Sequence, residues 1–290
     1  MSKIAVVTDS NSGMTKKENI QDLFIIPMPF IINDDIFYEG VNLTQVDFFD
    51  YLESNADVST SQASPSSIMD LWDEILKEYD EIVHIPMSSG LSGSCESAMG
   101  LALEYDGKVQ VVDNQRISVT LRHSVMDALE LAKQGKSAKE IKDILEKDKY
   151  NSSIYIMLDT LYYLKKGGRI TSAAAAIGTL VHIKPILQIQ GEKLDAYAKT
   201  RTSAKGKTIM LDALEKDMTS RFLENHNNGK MILDIAHTNN WDEAMKLKAE
   251  MQSLYPQYVI NVEELPLSIA CHTGPGALGV ACTCQMNYEQ

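Results

Sequence analysis

Over residues 1–150 short apolar runs alternate with amphipathic stretches, and this alternation restricts the fold more than any other feature of the chain. Residues 4–7 read as a buried strand, and residues 82–85 and 109–112 as further strands. Between the first two, Ser64-Pro65 is a helix start, an N-cap serine followed by proline at the first helical position. Ile68, Met69, Leu71, Trp72, Ile75, Leu76 and Tyr79 are then expected on one helical face. Thr15-Lys-Lys-Glu18 has the form of a capping box, so a short helix is expected there. Residues 23–32 are apolar but interrupted by Pro27 and Pro29, which predicts an edge or irregular strand. Residues 46–52, 119–133 and 138–148 read as helices. Strands alternating with helices predict a parallel sheet with helices on both faces.

After the charged run Glu146-Lys-Asp-Lys149 the pattern changes. A strand is expected over residues 154–158, then a short helix ending at Gly167-Gly168. Residues 185–189 and 194–199 flank a turn and read as a hairpin. Long helices near residues 204–223 and 241–254 surround a strand at 231–236, and late strands follow at 258–262 and 279–284. The expected architecture is α/β with two domains. Residues 1–150 form an N-terminal parallel-sheet α/β domain, and residues 151–290 a C-terminal α+β domain with a mostly antiparallel sheet.

The formal net charge of −13 argues against general nucleic-acid binding, because phosphate backbones repel such a surface. No apolar run approaches the roughly 20 residues of a membrane span. The first strand begins at Ile4, leaving no room for a signal peptide before it. The cysteines are Cys95, Cys271, Cys282 and Cys284. Four in a chain of this length make no disulfide framework, and Cys282-x-Cys284 is too close for the usual zinc pair. Buried thiols in a reducing cytoplasm are expected.

Three hydroxyl-bearing loops follow strands in the first half: Thr8-Asp9-Ser10, Ser59-Thr60-Ser61, and residues 88–94, which read SSGLSGS. Loops at the carboxyl ends of parallel strands, opening into helix N-termini, suit a carboxylate or a phosphate. Helix capping is the competing reading for each, although the 88–94 run has more hydroxyls than one cap uses. Residues 165–207 carry a net charge of +7, against −20 for the remainder. Such a segment suits an anionic ligand or protein surface, or is simply a solvated face. Within it Arg169 and Arg201 offer planar forks for carboxylates or phosphates.

Several motifs fail on context. Gly274-Pro-Gly-Ala-Leu-Gly279 matches a dinucleotide fingerprint by letter, but strand-like residues follow where a helix is required. Gly90-Leu-Ser-Gly-Ser94 lacks the final glycine of a nucleophile elbow. The six histidines show no metal-pair spacing. His272 stands out beside Thr273-Gly274-Pro275-Gly276, where glycines let backbone approach a ligand.

Taken in order along the chain, these pieces resemble the DegV family, bacterial fatty-acid-binding proteins that serve as lipid carriers for a fatty acid kinase. The matching segments are Val7-Thr-Asp-Ser10, Thr60-Ser-Gln62 with Ser64-Pro65, Ser88-Ser-Gly-Leu-Ser-Gly93 and Val112-Asp113. They continue with residues 161–170 (LYYLKKGGRI), 183–187 (IKPIL), Lys199-Thr-Arg-Thr202 and His272-Thr-Gly-Pro-Gly276. The resemblance implies two α/β domains with a long-chain fatty acid between them. It implies that Thr60 and Ser92 hydrogen-bond the carboxylate, with His272 in the same polar network. Ser61, Ser89, Gly93, Thr273 and Gly274 would lie in the supporting loops. Arg169 and Arg201 would dock a separate kinase subunit, which binds ATP and makes the acyl-phosphate that enters phospholipid metabolism. The chain itself would then be non-catalytic, with no cofactor or metal. Ala173 to Ala176, Ile177, Leu180 and Val181 are candidates to line an acyl slot or an ordinary core. The chain departs from the family pattern at Asn11-Ser12-Gly13, at Ser94-Cys95-Glu96 and at Asn114. The second departure leaves chain length and saturation open. Two rival readings stand beside the carrier: a hydrolase using Ser92 or Asp9, and a lipid-sensing regulator.

Overall fold

The computed structural model describes residues 2–54, 56–170 and 183–288. They divide into two compact units, Met1–Lys149 with Pro266–Ser268, and Tyr150–Leu265 with Ile269–Gln290.

The first unit is built on four parallel strands in the order β2-β1-β6-β7. These are β1 (Ile4–Asp9), β2 (Leu23–Ile26), β6 (Glu81–Ile85) and β7 (Val109–Val111). Every residue of β1 is buried, as a central strand covered on both faces requires. Helices α2 (Pro65–Ile75) and α3 (Ser94–Ala102) place Ile68, Trp72, Cys95 and Ala98 against Ala5, Val7 and Ile82. Helices α4 (Ser118–Lys133) and α5 (Ala138–Lys147) lie against β1, β6 and β7 on the other side. Ser64 caps α2 as its sequence requires, its Oγ accepting the Ser67 N–H at 3.1 Å.

Residues 23–32 are two strands in different sheets. Pro27 lacks an N–H, and the chain leaves the parallel sheet there. It re-forms as β3 (Pro29–Ile32), which pairs antiparallel with β4 (Asp35–Tyr38) and β5 (Val58–Thr60) in a three-stranded sheet that the periodicity did not predict. Helix α1 (Gln45–Glu53) packs on it, with the Phe30 and Phe48 rings 5.8 Å apart. The capping box at Thr15 and Glu18 closes only one 3₁₀ turn, Lys16–Glu18, which ends at Asn19 in the left-handed conformation.

The second unit holds six strands in the order β10-β9-β8-β13-β11-β12. They are β8 (Ser152–Met157), β9 (Lys184–Ile189), β10 (Leu194–Thr200), β11 (Met231–His237), β12 (Ile260–Glu264) and β13 (Leu278–Cys284). All neighbours are antiparallel except β11 and β12, which the crossover helix joins. The helices are α6 (Tyr162–Lys166), α7 (Ser203–Thr219), α8 (Leu223–Asn227), α9 (Trp241–Leu254) and α10 (Leu267–Thr273). Met210, Leu214 and Met218 of α7 and Leu247 and Met251 of α9 form one core with Leu233, Ile235 and Val280. All four cysteines are buried.

Candidate functional site

The expected site residues fall in both units. Thr60, Ser61, Ser89, Ser92 and Gly93 belong to the first, and Arg169, Arg201, His272, Thr273 and Gly274 to the second.

In the first unit Thr60 ends β5 opposite Phe30 and is half-buried. Directly after it the Ser61 N–H donates to the Pro29 carbonyl at 3.0 Å, which turns the chain toward the Ser64 cap. Gln62 lies between the two. Its Oε1 accepts the Ser97 hydroxyl of α3 at 3.3 Å, and a Cβ on Gly93 would come within 3.4 Å of that oxygen. The Thr60 loop is thus held against the start of the helix that follows Ser92.

Within residues 88–94 the hydroxyls divide their work. The Ser88 carbonyl accepts the N–H groups of Leu91 and Ser92, at 3.0 and 3.2 Å, and its Oγ accepts the Gly90 N–H at 3.3 Å. The Ser89 hydroxyl donates to Asp113 Oδ2 at 2.7 Å. Ser88 and Ser89 therefore build the turn. The half-buried Ser92 pairs with the buried Ser94 hydroxyl at 2.8 Å and accepts the Ser94 N–H at 3.2 Å.

The first hydroxyl loop turns its polar groups inward. Thr8 Oγ1 donates to the Ile85 carbonyl at 2.9 Å, and Ser10 Oγ accepts the Met28 N–H at 3.1 Å. The Asp9 carboxylate accepts from Asn11 N, Asn11 Nδ2 and Met87 N at 2.8–2.9 Å. Burial nevertheless raises the Asp9 pKa, with these donors opposing the shift. Asn11 Oδ1 in turn accepts the Ser268 hydroxyl. These groups are committed to the structure of the loop, which favours the structural reading over an anion site there.

In the second unit two glycine-bearing segments pack together. His272 lies in α10, and a Cβ on Gly167 would fall 2.1 Å from its Nδ1. Gly274, at φ +73°, leaves no room for a side chain, since a Cβ would lie 2.3 Å from Cδ2 of Tyr163. Thr273 Oγ1 donates to the Ile269 carbonyl and pairs with Thr238 Oγ1, each at 3.2 Å. Burial, with the Arg169 cation adding to it, holds the His272 pKa down to about 4. Its imidazole is therefore neutral at ordinary pH, with one donor and one acceptor nitrogen.

Arg169 is exposed, with Nη1 donating to the Gly167 carbonyl at 2.6 Å. Arg201 is exposed just before Thr202, the N-cap of α7. The candidate acyl-slot residues Ala173 to Ala176, Ile177, Leu180 and Val181 lie outside the described residues. Gln62 and Gly167, which lie inside the quoted motifs but were given no role there, pack against candidate residues, Gln62 beside Gly93 and Gly167 beside His272. Among the described residues no three His, Cys, Asp or Glu side chains gather as a metal site. None of the described helices is long and apolar enough to cross a membrane.

These features define a two-unit α/β protein whose parallel sheet ends in a hydroxyl-rich loop and whose second sheet is mostly antiparallel. The chain belongs to the DegV family, whose model matches residues 3–284. The DegV domain-containing protein SA1258 of Staphylococcus aureus (strain N315) is 31% identical over 283 residues, covering 97% of this chain and 98% of that protein. Among solved structures, the fatty-acid-binding DegV family protein of Thermus thermophilus superposes with a TM-score of 0.87 at 28% identity, covering 97% and 99% of the two chains. DegV of Bacillus subtilis, a fatty acid binding protein, gives 0.85 at 29% identity over 98% and 100%.

Proposed function

We propose that this chain binds a long-chain fatty acid and presents its carboxylate to a separate ATP-dependent kinase subunit, which phosphorylates it to the acyl-phosphate. One observation carries the lipid reading: the fold extends over nearly the full length of two relatives that are fatty-acid-binding proteins. The physical chemistry supports it. A chain of about 16 carbons gains roughly 0.8 kcal/mol per buried CH₂, well above the cost of association. The carboxylate must be hydrogen-bonded once it leaves water. On a chain of net charge −13, only short-range donors or a local cation can hold it. The Thr60 and Ser92 hydroxyls are such donors, and the resemblance supplies neutral His272 as a third contact. The exposed Arg169 and Arg201 suit docking of the kinase.

The hydrolase reading has less support, because the hydrogen bonds of Ser92 Oγ go to Ser94 and not to a histidine or carboxylate base, and the Asp9 carboxylate is occupied by three donors. Mass spectrometry of an organic extract of gently purified protein tests the proposal. A stoichiometric fatty acid is expected. An empty protein with hydrolytic turnover that Ser92→Ala abolishes would replace the carrier with an enzyme. Arg169→Ala is expected to retain lipid and lose phosphorylation by an added kinase subunit, and unchanged phosphorylation would remove Arg169 from docking.

A further inference from the structure

We propose that Ser94 is a positioning residue that turns Ser92 into a strong, outward-directed donor for the fatty-acid carboxylate. This rests on the reading of Thr60 and Ser92 as headgroup donors and goes one step behind it.

Ser94 is the first residue of α3 and only 8% exposed, whereas Ser92 is half-buried. Two hydrogen bonds join them. The Ser94 N–H donates to Ser92 Oγ at 3.2 Å, and the two hydroxyl oxygens lie 2.8 Å apart. A serine oxygen has two lone pairs and one proton. The backbone N–H fills one lone pair of Ser92 Oγ. The remaining question is which hydroxyl donates to the other.

A carboxylate settles the direction. It offers only acceptors, so a carboxylate at Ser92 requires the Ser92 proton. Ser94 must then be the donor within the pair, which fills the second lone pair of Ser92. The result is a directed chain from Ser94 through Ser92 to the ligand. Each bond in such a chain polarises the next, and the α3 amide adds the positive end of the helix to the same oxygen. Gly93, the residue between the two serines, caps α3 without a side chain, so no other hydroxyl caps that end. The bland alternative is that Ser94 only tightens the loop. The two differ in what a bound carboxyl group experiences.

The test uses the full chain and [1-¹³C]palmitate, read by affinity and by the carboxyl ¹³C resonance across pH. Loss of one hydrogen bond in the chain predicts that Ser94→Ala weakens palmitate about fivefold. It should also move the carboxyl resonance and raise the pKa of the bound acid. Ser94→Thr, which keeps the hydroxyl, should stay within about twofold of the parent. Ser137→Ala, which removes the remote N-cap of α5, supplies a matched loss of stability that should leave the resonance in place. Should Ser94→Ala fold poorly, Ser94→Cys keeps the shape with a weaker donor and should give the same resonance shift. A Ser94→Ala protein with parental affinity and resonance, alongside a weakened Ser92→Ala, overturns the inference while leaving the headgroup reading intact. Parental binding by both Ser92→Ala and Thr60→Ala overturns the headgroup reading itself, and the inference with it.

Discussion

Gly167 lies against the imidazole of His272 so closely that a Cβ at 167 would sit 2.1 Å from Nδ1 and 2.6 Å from Cε1. The backbone at Gly167 is ordinary, with φ −78°, so the glycine is there for space and not for conformation. Its neighbour Gly168 is the reverse case, at φ +68° with open space for 4 Å around the point a Cβ would occupy. Alanine therefore has different consequences at the two sites. Gly167→Ala should displace the ring, at about 1–3 kcal/mol of stability, and, on the proposed function, weaken fatty-acid binding. Gly168→Ala should lose about 1 kcal/mol through left-handed strain and leave binding unchanged. Thermal unfolding paired with a lipid titration separates the two. Equal affinity in both variants would detach His272 from the headgroup.

One buried and one half-buried histidine predict a loss of stability on acidification. His272 is held down to about 4, by burial and then by Arg169, and His84, buried in the first unit beside Trp72, is held down to about 3 by burial alone. The folded state thus takes up fewer protons than the unfolded chain between about pH 6.5 and 4, and stability rises with pH across that window. Each should remove about 2 kcal/mol between pH 7 and pH 5. Asp9, whose pKa is raised by burial, acts in the opposite direction, adding stability as the pH falls. Urea unfolding at the two pH values measures the slope, which His272→Gln should reduce. A flat profile in the parent protein would contradict the lowered pKa of both rings.

Asp9 is a position where removing a buried charge should not stabilise the protein. Both of its oxygens accept N–H groups: Oδ1 from Asn11 N and Nδ2, and Oδ2 from Met87 N. Asparagine offers one acceptor and one amine, so Asp9→Asn sets a donor against a donor whichever way it turns. The expected loss is about 1–3 kcal/mol despite the relief of desolvation. Chemical denaturation reads it directly, and a gain in stability would mean that the charge penalty outweighs the hydrogen bonds.

Much of this fold is legible in the sequence because local signals agree with tertiary ones. Ser64-Pro65 starts α2, and the apolar runs at residues 4–7 and 82–85 are central strands buried on both faces. What escapes has weak or divided local signals. β4 has only four residues and three of them are exposed, so neither length nor alternation marks it. The prolines in the apolar run at residues 23–32 signal an irregular strand, but not that its two halves belong to different sheets, with the break at Pro27 and Met28. Helix α10 spans seven residues between Pro266 and Gly274, too short for a helical period to show. Site legibility follows the same rule. Thr60, Ser92 and His272 sit in motifs, whereas the role of Gln62 depends on Ser97, 35 residues away, and that of Gly167 on a ring more than a hundred positions on.

A polar cluster buried near the base of α7 yields the last prediction. The Tyr155 hydroxyl donates to Asp217 Oδ2 at 2.6 Å, and Gln190 Nε2 reaches the same oxygen at 2.9 Å and the Tyr155 oxygen at 2.8 Å. Arg221 approaches the other carboxylate oxygen at 3.5 Å and donates to Ser153 Oγ at 2.8 Å. Asp217 is only 5% exposed, so its charge depends on these partners and not on water. Burial, followed by Asp217, drives the Tyr155 pKa far upward and keeps its proton in place as the donor. Tyr155→Phe removes the shortest of these bonds and leaves the carboxylate in place, which should cost about 1.5–3 kcal/mol. Adding Asp217→Asn should recover part of that loss, because the amide no longer carries a buried charge. A double-mutant cycle in urea gives the coupling, and strict additivity would show that Arg221 and Gln190 satisfy Asp217 without the tyrosine.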